Sequence, residues 1–474
     1  MAGLGNNRWG PGVCAGDYNN DGWEDLFVAN LGKSRLHLNN HGKFEGVAEK
    51  AGVQMDLWTT GCACCCTMAR VASCPLGGSR RLGDFPSSST SRSAPGFRVS
   101  RRLLASMALG LRAAEVSRFF RIRKQNERQC PIDPAGRPFF SLGMNHIDSA
   151  ALRFDETWQR EFRDDARRWA QAVGRDLVSW GFNSIGWVQE YVVINDQHHR
   201  HSRSFTPEEY RWVRLPFCHL LPFIESHGWE IETRLPKIDS PGFAEWCDYV
   251  ARDHCVRLRN DSNLIGYFFS DIPGWVHTVK ANQWRGALFD AEKLKSGAGR
   301  QELFRLATHY YRTIHDAIRR YDKNHLIFGD RYNAQAPLPL EIVQAALPFV
   351  DALTFQDFSP PAGIEATLRR WADATGKPVL LGDAAHWGRP FTAGWPPAAE
   401  DRSHDATAYG ETLNRLLDLK SCIGYHLCGA YLKNNARRYG FRDKQNRLEP
   451  HVAGMTRANL AAATRFRQMT GAPR

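Results

Sequence analysis

The chain has 474 residues, 43% hydrophobic and 24% charged, which fits a folded protein of more than one unit and excludes a disordered polymer. Its net charge of +12 invites a nucleic-acid reading, but about ten of those charges lie between Arg70 and Lys124, opposed only by Asp84 and Glu115. The remainder is close to neutral and carries no nucleic-acid motif, and no apolar run reaches bilayer-spanning length.

In chain order, the first organised stretch runs from Gly12 to Val53. Asp17, Asn19, Asp21 and Asp25 fall at positions 1, 3, 5 and 9 of a loop, with Gly22 after the third. Short oxygen ligands at alternate positions can wrap a hard cation, and the glycine permits the sharp turn. Short strands bounded by Gly or Asn follow, LFVANL, RLHLNN and KFEGVA. The stretch resembles the FG-GAP (VCBS, integrin-type propeller) repeat that accompanies the ASPIC/UnbV family. That resemblance implies a structural Ca2+ in the loop and a domain over residues 1–63. A propeller closes only with several blades, so one repeat is a fragment.

Residues 64–115 change character. Cys, Arg, Ser, Pro and Gly dominate, periodicity disappears, and PSSSTSRSAPG reads as disordered linker. The segment also has the look of a fusion scar or a shifted reading frame, a hypothesis that a clean single frame on resequencing would reject. Arg101–Leu111 has the basic start and apolar run of a secretory signal, but it is internal, and a buried amphipathic helix reads equally well. Of twelve cysteines, Cys62, Cys64, Cys65, Cys66 and Cys74 cluster without a matching zinc half-site. Cys130, Cys218, Cys247, Cys255, Cys422 and Cys428 are scattered, as small buried hydrophobes would be.

From Val116 to the C-terminus strands and helices alternate. A hairpin turning at Asp133–Gly136 leads to a strand over Phe139–His146. Further strands are expected at Gly181–Val188, Phe217–Glu225, Leu264–Asp271, His325–Tyr332, Asp351–Phe358, Lys377–Asp383 and Cys422–Tyr431. The run from Trp158 to Trp180 reads as one helix, and NDQHHRHSRS, with His198, His199 and His201, as a solvated loop. Eight strands with helical crossovers, and no GxGxxG at the first turn, predict an α/β fold of the (β/α)8 TIM-barrel kind.

Active sites of such barrels sit at the C-terminal ends of the strands. Those ends offer Asn145, His146 and Asp148, then Gln189 and Glu190, then Glu225 and His227, then Asp271. The later strands offer Asp330 and Arg331, Gln356 and Asp357, Asp383 and His386, and His426. Trp187, Trp275 and Trp387 lie near strand ends, where rings can stack on sugars or fill a core. A carboxylate pair facing across a cleft can cleave a glycosidic bond.

DPAGRPFFSLGMNH, NLIGYFFSDIPGW and GKPVLLGD together resemble the clan-A glycoside hydrolase barrels, and most of all agarase-like ones. The resemblance implies hydrolysis of O-glycosidic bonds in a polysaccharide, no cofactor for the barrel, and an extracellular or periplasmic setting. Carried onto this chain, it makes Asp271 the acid/base and Asp383 the nucleophile or electrostatic stabiliser. By their places at strand ends, Asn145, His146, Trp187, Glu190, Trp275, Asp330, Arg331, Asp357, His386 and His426 are expected around the substrate. Two positions depart from the pattern: Ile272 stands where the acid/base glutamate is expected, and Asp383 replaces a glutamate. The rival reading is a non-catalytic polysaccharide-binding or adhesion protein with a degenerate barrel.

Overall fold

The computed structural model describes residues 12–19, 21, 23–29, 35–51, 117–125, 127–147, 155–189, 191–195, 198–224, 237–276, 287–387, 403–433 and 439–471. The chain separates into two compact units, Met1–Val99 and Ser100–Arg474. The 64–115 linker lies outside the described residues, as do Asp148, Glu190, Glu225 and His227.

In the first unit, β1 (Gly12–Gly16), β2 (Asp25–Ala29), β3 (Arg35–Asn40) and β4 (Lys43–Gly46) form one antiparallel sheet in chain order. His41 and Gly42 join β3 to β4 with φ of +51° and +85°, the left-handed pair that a two-residue hairpin turn demands. Among the described residues of this unit, Leu36, Val47 and Ala48 form a buried cluster, with Phe27, Leu38 and Ala51 packed against it.

The second unit begins with the hairpin β5 (Arg121–Gln125) and β6 (Arg128–Ile132). It reverses where Gln125 pairs with Arg128, ahead of the Asp133–Gly136 turn predicted from the sequence. That turn does form, as a second reversal. Gly136 donates to the Asp133 carbonyl at 2.9 Å, and Ile132 bridges Pro138.

The barrel opens with β7 (Ser141–Met144) and β8 (Ser184–Ile185). The stretch read as a polar loop instead pairs as a side hairpin, β9 (Tyr191–Asn195) with β10 (His198–His201). The barrel resumes with β11 (Phe217–Leu220), β12 (Leu264–Asp271), β13 (Leu326–Asn333), β14 (Leu353–Gln356), β15 (Val379–Ala384) and β16 (Cys422–Leu427). These eight strands are parallel and close, β16 pairing back onto β7. Each coincides with a stretch that the sequence marks as a strand, β13 and β15 running one residue past it, so the (β/α)8 barrel is the fold of this unit.

The outer layer contains α1 (Ala166–Ser179), α2 (Pro207–Val213), α3 (Pro241–Leu258), α4 (Gly297–Tyr321), α5 (Leu340–Ala346), α6 (Pro361–Thr375), α7 (Ala406–Asp418) and α8 (Val452–Thr470). The helix read from Trp158 to Trp180 is broken. A π-helical turn over Trp158–Phe162 ends at Arg163 and Asp164, whose φ of +53° and +56° cannot continue a helix. Asp165 then caps α1, its side chain accepting from the amides of Arg167 and Arg168.

Two apolar layers result. Trp187, Cys218, Leu220, Ile265, Phe268, Phe328 and Leu380 fill the barrel, and Phe120, Ile122 and Phe139 pack against that filling. The larger layer lies between strands and helices and holds Tyr267, Phe269, Tyr310, Tyr311 and Tyr332. The six scattered cysteines are all buried and reduced.

Candidate active site

Strand β13 determines which side chains reach the barrel interior. Leu326 and Phe328 point inward and Ile327 outward. Simple alternation would send Asp330 inward and Arg331 outward. Instead the register slips, Tyr267 pairing with Ile327 and Phe268 with Gly329. Gly329 has φ of +68°, and a Cβ there would lie 2.7 Å from Val350 Cγ1. The bulge exchanges the faces of the next two residues.

Arg331 therefore projects into the barrel, 1% exposed, with its guanidinium carbon 3.5 Å from the centroid of the Trp187 ring. Its Nε and Nη2 donate to Oδ1 of Asp271, at 2.9 and 2.6 Å, from the neighbouring strand β12. The same Nη2 lies 3.6 Å from Oδ2 of Asp383 on β15. With legs of 2.6 and 3.6 Å to one nitrogen, these two carboxylate oxygens stand within about 6.2 Å of each other, the sum of the legs.

Asp383 is 3% exposed and is held from the first strand. Asn145 Nδ2 donates to its Oδ1 at 2.7 Å and to the Gly382 carbonyl at 2.8 Å. Asn145 Oδ1 accepts the Trp187 amide at 3.2 Å and occupies the place where a Cβ on Gly186 would sit. His146 has φ of +59°. Its Nε2 is 3.8 Å from Asp383 Oδ1, while Nδ1 bonds the Gln189 carbonyl at 2.8 Å. Ile272, just past Asp271, has φ of +37° and donates its amide to the Arg331 carbonyl at 2.9 Å. A β-branched residue in that region stores on the order of 1–3 kcal/mol of strain, of the kind found at functional sites.

The remaining sequence-marked residues separate into three groups. His426 lies inside the barrel, with Nε2 2.9 Å from Ser141 Oγ. Burial, and then the Arg331 charge, push its pKa down to about 3, so it is a neutral part of the core. Asp357 sits beside β15, its amide on the Asp383 carbonyl at 3.0 Å and its Oδ1 accepting from Ser359 and Gln335. Its Oδ2 is buried with no hydrogen-bond partner among the described residues. His386 is turned to α7, where Nε2 meets Thr412 Oγ1 at 2.7 Å, and burial lowers its pKa.

Asp330 and Trp275 face away from the barrel interior. Asp330 accepts from Tyr310 Oη at 2.8 Å, Tyr311 Oη at 2.6 Å and Ser270 Oγ at 3.0 Å. Burial raises its pKa to about 6 against the pull of those donors. The ring of Trp275 packs on Tyr310 and Tyr311, with centroids 5.2 and 6.2 Å apart, which leaves no face for a sugar. Trp187 lies under Arg331, and half-buried Trp387 packs on His404 and Tyr439. Cys428, beyond β16, shares the interior site with His146 and Asp383. Sequence reading had placed this thiol in the core by residue type alone.

In the first unit, Asp17, Asn19 and Asp21 occupy the β1–β2 loop. Asp21 donates its amide to Asp17 Oδ1 at 3.1 Å, and Trp23 donates to Asp21 Oδ1 at 2.9 Å. Asp25 is buried, its two oxygens accepting the Tyr18 and Asn39 amides at 2.8 and 2.7 Å. This donor set is all hard oxygen, which suits Ca2+ chemically.

No family model matches the chain, and no curated protein matches it in sequence. Solved structures do match in fold. An agarase, AgWH50C, superposes with a TM-score of 0.56 at 16% identity, over 74% of this chain and 64% of that one. BpGH50 superposes with a TM-score of 0.56 at 13% identity, over 96% of this chain and 98% of its own. An exo-beta-agarase gives 0.53 at 14% identity, over 74% and 66%. The chain thus spans just under two thirds of the length of these two agarases, with which it shares a closed (β/α)8 barrel fold.

Proposed function

We propose that this protein is a carbohydrate-active hydrolase that cleaves O-glycosidic bonds of an agar-type galactan at the mouth of its barrel. The observation that carries the reading is the carboxylate pair. Asp271 and Asp383, at the ends of barrel strands four and seven, have oxygens within about 6.2 Å. As an upper bound, that spacing admits the roughly 5–5.5 Å of retaining enzymes and lies below the 6.5–9.5 Å of inverting ones. Asp383, oriented by Asn145, would attack the anomeric carbon. Asp271 would protonate the departing oxygen and then deprotonate the incoming water. Arg331 holds Oδ1 of Asp271, so the transferable proton would ride on Oδ2. Asp271→Asn and Asp383→Asn should each lower release of reducing ends from agarose oligosaccharides by at least about 10²-fold. Undiminished release in both would reject the assignment.

A second reading rests on Arg331 and Ile272. A guanidinium on Asp271 opposes the protonated form that an acid needs, and an isoleucine stands at the position expected for glutamate. Under it the barrel binds galactan without cleaving it. Calorimetric binding of oligosaccharides with no wild-type turnover would select this reading.

For the N-terminal loop, the hard-oxygen donors support a proposed structural Ca2+ held by Asp17, Asn19, Asp21 and Asp25. Calorimetry on Asp17→Asn and Asp21→Asn tests it, since calcium uptake equal to wild type would reject the site.

A further inference from the structure

We propose that His146, Asp383 and Cys428 form a binding site for a soft divalent cation of the zinc type, superimposed on the carboxylate that the hydrolase reading uses for attack. One ligand atom from each of the three buried residues lies within 4.8 Å of the other two. They come from the ends of β7, β15 and β16, which are neighbours in the barrel, so rigid backbone sets their spacing. One sulfur and two nitrogen or oxygen ligands at about 2.0–2.3 Å on a tetrahedral zinc lie about 3.3–3.6 Å apart. The 3.8 Å between His146 Nε2 and Asp383 Oδ1 is within about 0.5 Å of that, and no pair needs to close by more than about 1.5 Å.

The surroundings are those of a metal site. His146 spends Nδ1 on the Gln189 carbonyl, which fixes the ring and directs Nε2 toward Asp383. Gln189 is itself held by Ser204 and the Leu220 carbonyl. Asn145 donates to the ligating oxygen of Asp383, and Tyr439 Oη stands 3.7 Å from Cys428 Sγ. Charge points the same way. With thiol and imidazole neutral, Asp271, Asp383 and Arg331 leave the enclosed site one negative charge in excess. A divalent cation that displaces the Cys428 proton, forming a metal–sulfur bond and releasing H⁺, brings the site to neutrality. A mixed N, O and S donor set favours zinc over calcium or magnesium. A proton on His146 would neutralise the site equally well and is the competing state.

The test uses the full chain, stripped by chelator, loaded with ZnCl2 or CoCl2 and dialysed, with metal content read by plasma emission. A variant with Cys62, Cys64, Cys65, Cys66 and Cys74 changed to Ser removes the other thiol cluster. That variant should retain about one metal per chain and, with cobalt, show a thiolate-to-cobalt charge-transfer band. Cys428→Ser and His146→Gln, in the same background, should lose the band and at least 10-fold in affinity. Absence of the band before those two changes, or its survival through both, overturns the site. Neither readout needs turnover. Metal bound by the loaded chain with no glycan cleavage by the stripped chain leaves the site standing and removes the hydrolase reading, whereas zinc-insensitive cleavage without bound metal does the reverse.

Discussion

Asp330 and Arg331 are adjacent in sequence and sit on opposite faces of one strand, each at the centre of a buried polar network. Inside, Arg331 joins Asp271 and Asp383 with one charge against two. Outside, Asp330 is met by hydroxyls, those of Tyr310, Tyr311 and Ser270. The outer network satisfies its oxygens with donors fixed on α4 and β12 and offers nothing to a ligand. The inner one leaves two carboxylates sharing one guanidinium at the end of the barrel where chemistry is expected. One holds a helix on a strand; the other gathers charge at the strand ends.

The strongest way to break that contrast is to remove the inner cation. Arg331→Ala leaves two carboxylates crowded and uncompensated, and should cost about 3–5 kcal/mol in urea denaturation. Adding Asp271→Asn should restore part of the loss. A cost no larger than a surface substitution would mean that the three groups do not act as a unit.

That network shows how far the sequence could be read. The eight strands were legible because buried parallel strands are continuous apolar runs, as LIGYFF and PVLL are. The strand-end acids were legible because barrels place chemistry there. Which acids face the barrel interior was not, since it depends on the register slip at Gly329. A glycine inside a strand signals such a bulge without giving its direction. The grouping of Cys428 with His146 and Asp383 joins strands at opposite ends of the chain, which no local pattern encodes.

Acid pH separates the two networks by sign. His426, on the inner side, has its folded pKa pushed down to about 3, below the roughly 6.5 of an unfolded histidine. Its contribution to stability is complete above pH 6.5 and is lost as pH falls, by about 1.4 kcal/mol per unit. Between pH 6.5 and 4.5, His426→Gln should therefore lose about 2.3 kcal/mol less than wild type. A parallel pH profile would show that His426 is protonated in the fold.

Asp330 runs the other way. Its folded pKa of about 6 exceeds the roughly 3.9 of an unfolded aspartate, so the folded state holds an extra proton between those values. The resulting stability is fully present below pH 4 and is lost as pH rises through 6. The stability difference between Asp330→Asn and wild type should then shift by about 2 kcal/mol in favour of the variant from pH 4.5 to 7. No shift would mean that the hydroxyl donors overcome burial and keep Asp330 ionised.

The smallest effect isolates the outer network. Tyr311 Oη donates to Asp330 Oδ2 at 2.6 Å and lies 2.8 Å from Tyr332 Oη, so Tyr311→Phe removes two contacts while keeping the ring. Its cost should be about 1.5 kcal/mol, the worth of a hydrogen bond to a charged group. Because these hydroxyls lie on the outer face of β13, that loss should appear in the denaturation midpoint and leave oligosaccharide affinity within about 2-fold. A larger change in affinity would mean that the bulge at Gly329 transmits strain from Asp330 to Arg331, making the two faces of the strand one coupled device.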